Sequence, residues 1–193
     1  MNPPRYPRTK HWEKDNVPGG FQPYLPLVRV DFGELVREAQ ALVLGVSRIP
    51  VQVYFRNQET FATIKHNSRR AEISIHPIID HPQTPAQVFR HIVIHEHIHL
   101  AVPPREIEGK IKHHPPEFWE MERALLPEGD KVCFWLFIRF TSYLKRDSKR
   151  ERTLVSRGWR KIAFLEGLSW EQTLALAESL SPDALSTKYK LPI

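Results

Sequence analysis

The sequence His95-Glu96-His97-Ile98-His99 lies within an apolar run that covers residues 88–102. An apolar run of this length predicts an α-helix that is buried on most of its sides. On a helix, His95 and His99 lie one above the other on the same face, because they are four residues apart. Two imidazoles in that position can bind one zinc ion from one side, and Glu96 beside them could accept a proton from water at the metal. The stretch therefore predicts a zinc site of the H-E-x-x-H type.

Burial of these polar side chains is a further argument for a metal. Glutamate and histidine are costly to bury without partners, so buried groups of this kind are normally hydrogen bonded or bound to a metal ion. The alternative interpretation is a helix whose histidines form ordinary hydrogen bonds in the core or at the surface.

Length and composition indicate one main domain with a substantial core and a small appendage. The chain has 193 residues, of which 41% are hydrophobic and 26% charged, as in soluble globular proteins. Its one cysteine, Cys133, excludes an internal disulfide. The first eight residues lack the apolar core of a secretory signal, and the longest apolar stretch, 132–140, is too short to cross a bilayer. We therefore expect a cytoplasmic protein without a membrane-spanning segment.

The net charge of +6 is concentrated in one segment. Residues 145–161 contain two acidic side chains and eight basic ones, so this segment carries the whole net charge. Such a segment on a neutral body can bind phosphate groups, and the alternative is a solvated helix flank. The basic residues are Lys145, Arg146, Lys149, Arg150, Arg152, Arg157, Arg160 and Lys161.

Before the motif, the sequence predicts an extended arm, a helix and a small sheet. Residues 1–26 show neither helical nor strand periodicity and are expected to form the arm. Asp31 is a good N-cap for a helix through Leu44, with apolar residues at a spacing of 3.6. Three segments rich in β-forming residues then predict a short antiparallel meander, whose third strand has one buried face and one solvent-exposed face. These strands cover residues 51–55, 61–65 and 71–79.

In the rest of the chain, prolines indicate where several helices begin or end. Thr84-Pro85 predicts the start of the motif helix, with the threonine as N-cap, and Pro103-Pro104 predicts its end. A polar loop is expected at 105–112. Helices are then predicted from Pro115-Pro116 to Pro127, over 130–143, from the capping box at Ser169 to Leu180, and from Pro182 to Tyr189.

Two helix histidines leave the metal short of one ligand, since a catalytic zinc site uses three protein ligands and water. The downstream candidates are His113, His114 and Glu117. His91 lies one turn before His95 and could contact the site or donate a hydrogen bond to a ligand. Another group of polar residues lacks the four-residue spacing and is interpreted as structural. It consists of His76, Asp80 and His81.

The pattern H-E-x-x-H, a short linker, and then a histidine four residues before Phe118-Trp119 resembles the SprT-like and YgjP-like zinc metallopeptidases of the zincin group. The resemblance spans roughly residues 31–126. It implies an α+β fold: a zincin-like minimal metallopeptidase core with a short antiparallel sheet packed on the active-site helix, and extra C-terminal helices. The segment 72–79 is similar to the family's edge strand, which precedes the active-site helix.

Carried over to this chain, the resemblance implies His114 as the third zinc ligand, with His95, His99 and the general base Glu96. Two positions depart from the family pattern. His97 stands where the family usually has an apolar residue, and His113 doubles the third histidine. Neither departure removes a ligand.

The resulting hypothesis is a Zn²⁺-dependent peptidase that acts on peptides or proteins. We expect a metallopeptidase domain at 27–145, preceded by the arm at 1–26 and followed by a basic helical extension at 146–193. SprT-like members include proteases that act on DNA-attached proteins, and the basic segment at 145–161, with Trp159, is compatible with DNA binding.

Two other functions compete with this hypothesis. One is a nucleic-acid-binding module with a structural zinc site, in which 169–180 and 182–189 form a helix-turn-helix. The other is a hydrolase that acts on a bond other than a peptide. A zinc site with three protein ligands and a water favours an enzyme, because structural sites usually have four protein ligands.

Overall fold

A mixed α+β fold surrounds the helix that carries the motif. The computed structural model describes residues 30–43, 49–147, 152–158 and 169–179. Within these ranges there are five α-helices and seven β-strands. The arm predicted at 1–26 and the tail helix predicted at 182–189 lie outside the described residues.

The first helix, α1 (Phe32–Leu42), begins as the sequence predicts. The carboxylate of Asp31 accepts a hydrogen bond from the backbone N–H of Glu34 at 3.1 Å, which caps the helix. Three apolar residues on one face are buried and belong to the main core: Phe32, Val36 and Ala39. The Phe32 ring meets the Phe89 ring edge to face at 5.5 Å, which fixes α1 against the motif helix.

The main sheet has three strands: β1 (Val51–Phe55), β2 (Ala62–His66) and β3 (Ala71–Ile75). Their order is β1-β3-β2, with β3 antiparallel to β2 but parallel to β1. The antiparallel β2–β3 pair is as predicted, whereas the simple meander is wrong. The prediction that one face of β3 is exposed to solvent is also wrong, since Ser74 is buried together with Ile73 and Ile75. Burial on both faces suits the central position that this strand occupies.

The edge strand beside the motif helix is β2, not the segment 72–79. Strand β3 ends at Ile75, and Pro77–Ile79 form a turn of 3-10 helix. Pro77 has no N–H for a ladder bond, and the His76 Nδ1 atom accepts a hydrogen bond from the Ile78 N–H at 3.0 Å. These local bonds end the strand before the motif helix.

The motif helix is α2 (Ala86–Ala101). Pro85 rather than Thr84 occupies its N-cap position, and the Thr84 hydroxyl instead donates a hydrogen bond to the Ile79 carbonyl at 2.6 Å. The helix ends before Pro103-Pro104, as predicted. Six of its apolar side chains are almost fully buried: Val88, Phe89, Ile92, Val93, Ile94 and Ile98.

A β-hairpin replaces the polar loop predicted after α2. It consists of β4 (Arg105–Ile107) and β5 (Lys110–Lys112). The turn residues Glu108 and Gly109 have φ angles of 53° and 71°, as in the turns of two-residue hairpins. Most residues of the hairpin are exposed, so its sequence has no alternation of apolar and polar residues that could reveal strands. The next helix, α3 (Pro116–Leu125), begins at the predicted prolines.

The last described elements are α4 (Gly129–Phe140), β6 (Leu144–Asp147), β7 (Arg152–Val155) and α5 (Trp170–Glu178). The described part of the basic segment thus contains two paired antiparallel strands rather than a helix flank, and the predicted boundary after residue 145 falls inside β6. Val155 lies in the main core, and its N–H donates to the Glu59 carbonyl at 2.8 Å. The capping box at Ser169 is confirmed. No helix among the described residues is long and apolar enough to span a bilayer.

Candidate metal centre

Three imidazole nitrogens converge between α2 and α3. The Nε2 atom of His114 lies 3.3 Å from the Nε2 atom of His95 and 3.1 Å from that of His99. His95 and His99 are on successive turns of α2, and His114 lies just before α3. This geometry allows the three side chains to hold one metal ion.

The separations of the His114 Nε2 atom from the other two Nε2 atoms fit a tetrahedral metal. Zinc–nitrogen bonds of about 2.0–2.1 Å at tetrahedral angles place two ligand nitrogens about 3.3 Å apart. The observed separations of 3.3 and 3.1 Å agree with that value. The other two candidates for the third position are exposed: His113 lies at the surface, and Glu117 forms an ion pair with Arg105 at 2.8 Å. Of the three downstream candidates, His114 is therefore the one that the structure brings to the α2 pair.

The surroundings of the three rings keep them neutral. Burial lowers the pKa of His95 to about 3 and is also the main cause that lowers the pKa of His99 to about 3 and that of His114 to about 4. A neutral imidazole offers a lone pair on one ring nitrogen, which a metal ligand needs. At neutral pH all three side chains are thus in the form that binds metal.

Phe118 forms an aromatic support beneath the cluster. Its side chain is fully buried, and its ring centroid lies 4.6–4.9 Å from the centroids of all three histidine rings. Trp119 is 42% exposed and lies 5.0 Å from the ring of His114. The Phe-Trp pair therefore lies against the third histidine, with one ring buried and the other open to solvent.

Glu96 is buried beside the histidine pair, with 2% of its surface exposed. Burial raises the pKa of its carboxyl to about 8, and a backbone hydrogen bond from Ile64 of β2 partly opposes this increase. With a pKa of about 8, the carboxyl is mostly protonated at neutral pH in the metal-free protein, so it must lose this proton before it can accept one from water. A cation held by the neighbouring histidines would favour the ionised form.

A second group of polar residues lies deeper, on the other side of the His95 ring. The Oε1 atom of Glu122 lies 2.6 Å from the Nδ1 atom of His95 and 3.8 Å from the Nε2 atom of His91. Sequence reasoning identified His91 as a neighbour but missed Glu122. The spacing could have indicated it, since Glu122 follows Phe118 by four residues and so lies on the same face of α3.

The remaining histidines of the sequence analysis have other environments. His97 is fully buried, and its Nδ1–H donates to the Val93 carbonyl at 2.7 Å, so this departure from the family pattern is accommodated inside α2. His76 caps the 3-10 turn, and Asp80 and His81 lie at its end. His76, Asp80 and His81 do not contribute to the two His/Glu clusters found in the described part of the chain, which agrees with a structural interpretation.

The basic segment is described only in part. Lys145 and Arg146 are exposed on β6, and Arg157 forms an ion pair with Glu59 at 3.5 Å. The side chains of its other basic residues, and Trp159, lie outside the described residues. Binding of DNA by this segment stays a prediction.

Comparisons of the chain with protein families, curated proteins and solved structures found no match. The resemblance to SprT-like and YgjP-like peptidases therefore depends on the motif residues themselves. These are the H-E-x-x-H stretch at 95–99 and the pattern that runs from His114 to Phe118-Trp119.

Proposed function

We propose that this protein is a zinc metallopeptidase. The observation that carries the proposal is the convergence of three histidine side chains, in which the His114 Nε2 atom lies 3.3 and 3.1 Å from the Nε2 atoms of His95 and His99. Glu96 is next to His95 in the helix. Three protein ligands leave the fourth tetrahedral position open to water or substrate, which is the arrangement of catalytic zinc sites. A site that only stabilises the fold usually has a fourth protein ligand.

The proposed reaction is hydrolysis of a peptide bond. A bound Zn²⁺ ion would supply Lewis acidity, which can polarise the scissile carbonyl and lower the pKa of a water molecule. Glu96 accepts a proton from the attacking water and returns it to the leaving amine. His95, His99 and His114 would hold the ion through their neutral imidazoles.

The edge strand beside α2 supports an extended peptide as substrate. Within the described residues β2 pairs only with β3, so its other edge has no partner strand. The backbone N–H of Ile64 on this strand is close enough to hydrogen bond to the Glu96 carboxyl. A peptide that adds to this edge as a further strand would run past the proposed general base.

Substitution of Glu96 tests the proposal. The protein is treated with a chelator, reloaded with Zn²⁺ and incubated with unfolded casein, and zinc content and cleavage products are both measured. We expect Glu96→Gln to bind as much zinc as the wild type but to lose cleavage by at least about 100-fold, because removal of a general base has an effect of this size. Full cleavage by Glu96→Gln would refute the role of Glu96.

A matched variant on the same helix controls for nonspecific damage. Gln87 is exposed near the start of α2, and Gln87→Ala should leave zinc content and cleavage unchanged. Zinc binding without hydrolysis of casein or of a mixed peptide library would favour the module with a structural zinc site. Hydrolysis of esters or other bonds, but not of peptides, would favour the non-peptidase hydrolase.

A further inference from the structure

The Glu122 carboxylate forms the shortest polar contact within the two His/Glu clusters, and it contacts the side of the His95 ring opposite to the proposed metal. We propose that Glu122 is a positioning residue that fixes the tautomer and orientation of His95 for metal binding. This inference rests on the proposed metal site. It assigns a role to a side chain that the H-E-x-x-H motif does not include.

The hydrogen bond determines which nitrogen of His95 carries the proton. The His95 Nδ1 atom lies 2.6 Å from the Glu122 Oε1 atom. Burial raises the pKa of Glu122, but in its ionised form the carboxylate can only accept hydrogen bonds, and the His95 Nδ1–H is then the donor. In a neutral imidazole the Nε2 atom then carries the lone pair. That lone pair is on the nitrogen that lies 3.3 Å from the His114 Nε2 atom, where the metal is expected.

Burial makes this bond an effective restraint. The side chain of Glu122 is 13% exposed and that of His95 is 2% exposed, so little water competes for either group. Hydrogen bonds of this charge-assisted kind are shorter and stronger than those between neutral groups. Rotation of the His95 ring would break the bond and leave a partly buried carboxylate without this donor.

The same helix that holds Glu122 also positions the third ligand. His114, Phe118 and Glu122 are spaced by four residues, with His114 just before α3 and the other two on one face of it. Each of the three contacts a histidine of α2. The His114 Nε2 atom lies beside that of His99, the Phe118 ring packs on the His95 ring, and the Glu122 carboxylate contacts the His95 Nδ1 atom. Packing of α3 on α2 therefore sets the position of one ligand and the orientation of another at once.

The group formed by His91, His95 and Glu122 could instead bind a second cation, and the distances decide against it. Two ligand atoms on one tetrahedral zinc are about 3.3 Å apart. The separations here are 2.6 and 3.8 Å, one shorter and one longer than that value. A second ion would also need the Nδ1 atom of His95 while its Nε2 atom binds the first. The geometry is that of a hydrogen bond.

The experiment compares Glu122→Gln and Glu122→Ala with Glu120→Gln. Glu120 is exposed on the same helix, so its substitution removes the same charge without touching His95. Zinc affinity is measured by competition with a chromogenic chelator, and the number of zinc ions per chain is determined by mass spectrometry of metals. The His95 tautomer in metal-free protein is determined from long-range ¹H–¹⁵N NMR couplings.

We expect the wild type to bind one zinc ion and to show the Nδ1–H tautomer of His95 before metal is added. Glu122→Ala should weaken zinc binding by about 10- to 100-fold, the range for partners of metal ligands. It should also shift His95 toward the other tautomer. Glu122→Gln preserves the size of the side chain and can still accept a hydrogen bond, so its loss should be smaller. Glu120→Gln should behave like the wild type.

Several results would overturn the inference. These are an Nε2–H tautomer in the wild type, two zinc ions per chain with Glu122 required for the second, or a folded Glu122→Ala protein with unchanged affinity and tautomer. If Glu122→Ala does not fold, the same readouts on Glu122→Gln decide the question. Absence of zinc binding by the wild type would refute the proposed function, whereas the tautomer in metal-free protein would still test the hydrogen bond.

Discussion

The Nε2 atom of His114 lies 3.1 Å from the Nε2 atom of His99, although an entire β-hairpin separates the two residues in the chain. The end of α2 and the start of α3 are fixed by Pro103-Pro104 and Pro115-Pro116, and β4 and β5 fill the interval. The hairpin turns the chain back on itself, so that α3 packs against α2. The β4–β5 hairpin between these two helices thus brings His114 to His95 and His99 and completes the histidine cluster.

Removal of the third histidine should abolish tight metal binding. Because His114 is one of only three histidines in the cluster, His114→Ala should weaken zinc binding by more than the roughly 100-fold loss typical of an outer partner. The neighbouring substitution His113→Ala should have little effect, since His113 is exposed. Chelator competition measures both affinities. Equal losses in the two variants would contradict the assignment of His114.

Glu96 should destabilise the metal-free protein at alkaline pH. Burial raises the pKa of Glu96 from 4.5 to about 8 in the folded state, so the folded protein binds more protons than the unfolded chain between these values. Its contribution to stability is therefore present below pH 4.5 and is lost as the pH rises through 8. Urea denaturation in the presence of a chelator should show that Glu96→Gln gains stability relative to wild type over this range. A difference that does not change with pH would contradict this prediction.

Acid should destabilise the metal-free protein through its buried histidines. Burial is the main cause that lowers the pKa of His91 from 6.5 to about 4, and it also lowers the pKa of His97. The unfolded chain then binds more protons than the folded protein between pH 6.5 and about 4, so stability falls as the pH decreases through this window. His91→Gln should reduce the slope of unfolding free energy against pH. An unchanged slope would show that His91 is not buried in its neutral form.

Phe118 should be required both for stability and for the histidine cluster. Its ring is fully buried against three imidazoles, so Phe118→Ala should cost about 3–5 kcal/mol in unfolding free energy through cavity formation. Phe118→Leu should lose less stability and should retain part of the zinc affinity. Thermal denaturation and chelator competition measure the two effects. A loss of stability below 1 kcal/mol for Phe118→Ala would be inconsistent with the packing described here.

DNA binding by the basic segment should depend steeply on salt. Each phosphate contact made by a lysine or arginine releases counterions, so affinity should fall as the salt concentration rises. Joint replacement of Arg150, Arg152, Arg157 and Arg160 should remove this binding, as measured by fluorescence anisotropy with a labelled duplex. Absent binding, or binding that does not respond to salt, would exclude the DNA-associated role while leaving the peptidase proposal intact.

Features that depend on neighbouring residues were predictable from the sequence. The cap at Asp31, the end of α2 before two prolines and the capping box at Ser169 are local hydrogen bonds or local steric effects. The i, i+4 spacing of His95 and His99 is equally local, and it predicted that the two rings share one face of a helix.

Features that depend on distant residues were not predictable in the same way. The parallel pairing of β1 with β3 joins residues 20 positions apart in register, such as Val51 and Ala71, and periodicity does not reveal a pairing partner. Glu122 is an ordinary helix residue until α3 packs on α2. The four-residue spacing from Phe118 could place Glu122 on the same face of α3, but its contact with His95 follows from tertiary packing.

X-ray absorption at the zinc edge of the reconstituted protein tests the central claim most directly. We predict four ligands, with three imidazole nitrogens at about 2.0–2.1 Å and one oxygen donor from solvent. In His114→Ala the imidazole count should fall to two. A protein that takes up no zinc, or a site closed by a fourth protein ligand, would contradict the account.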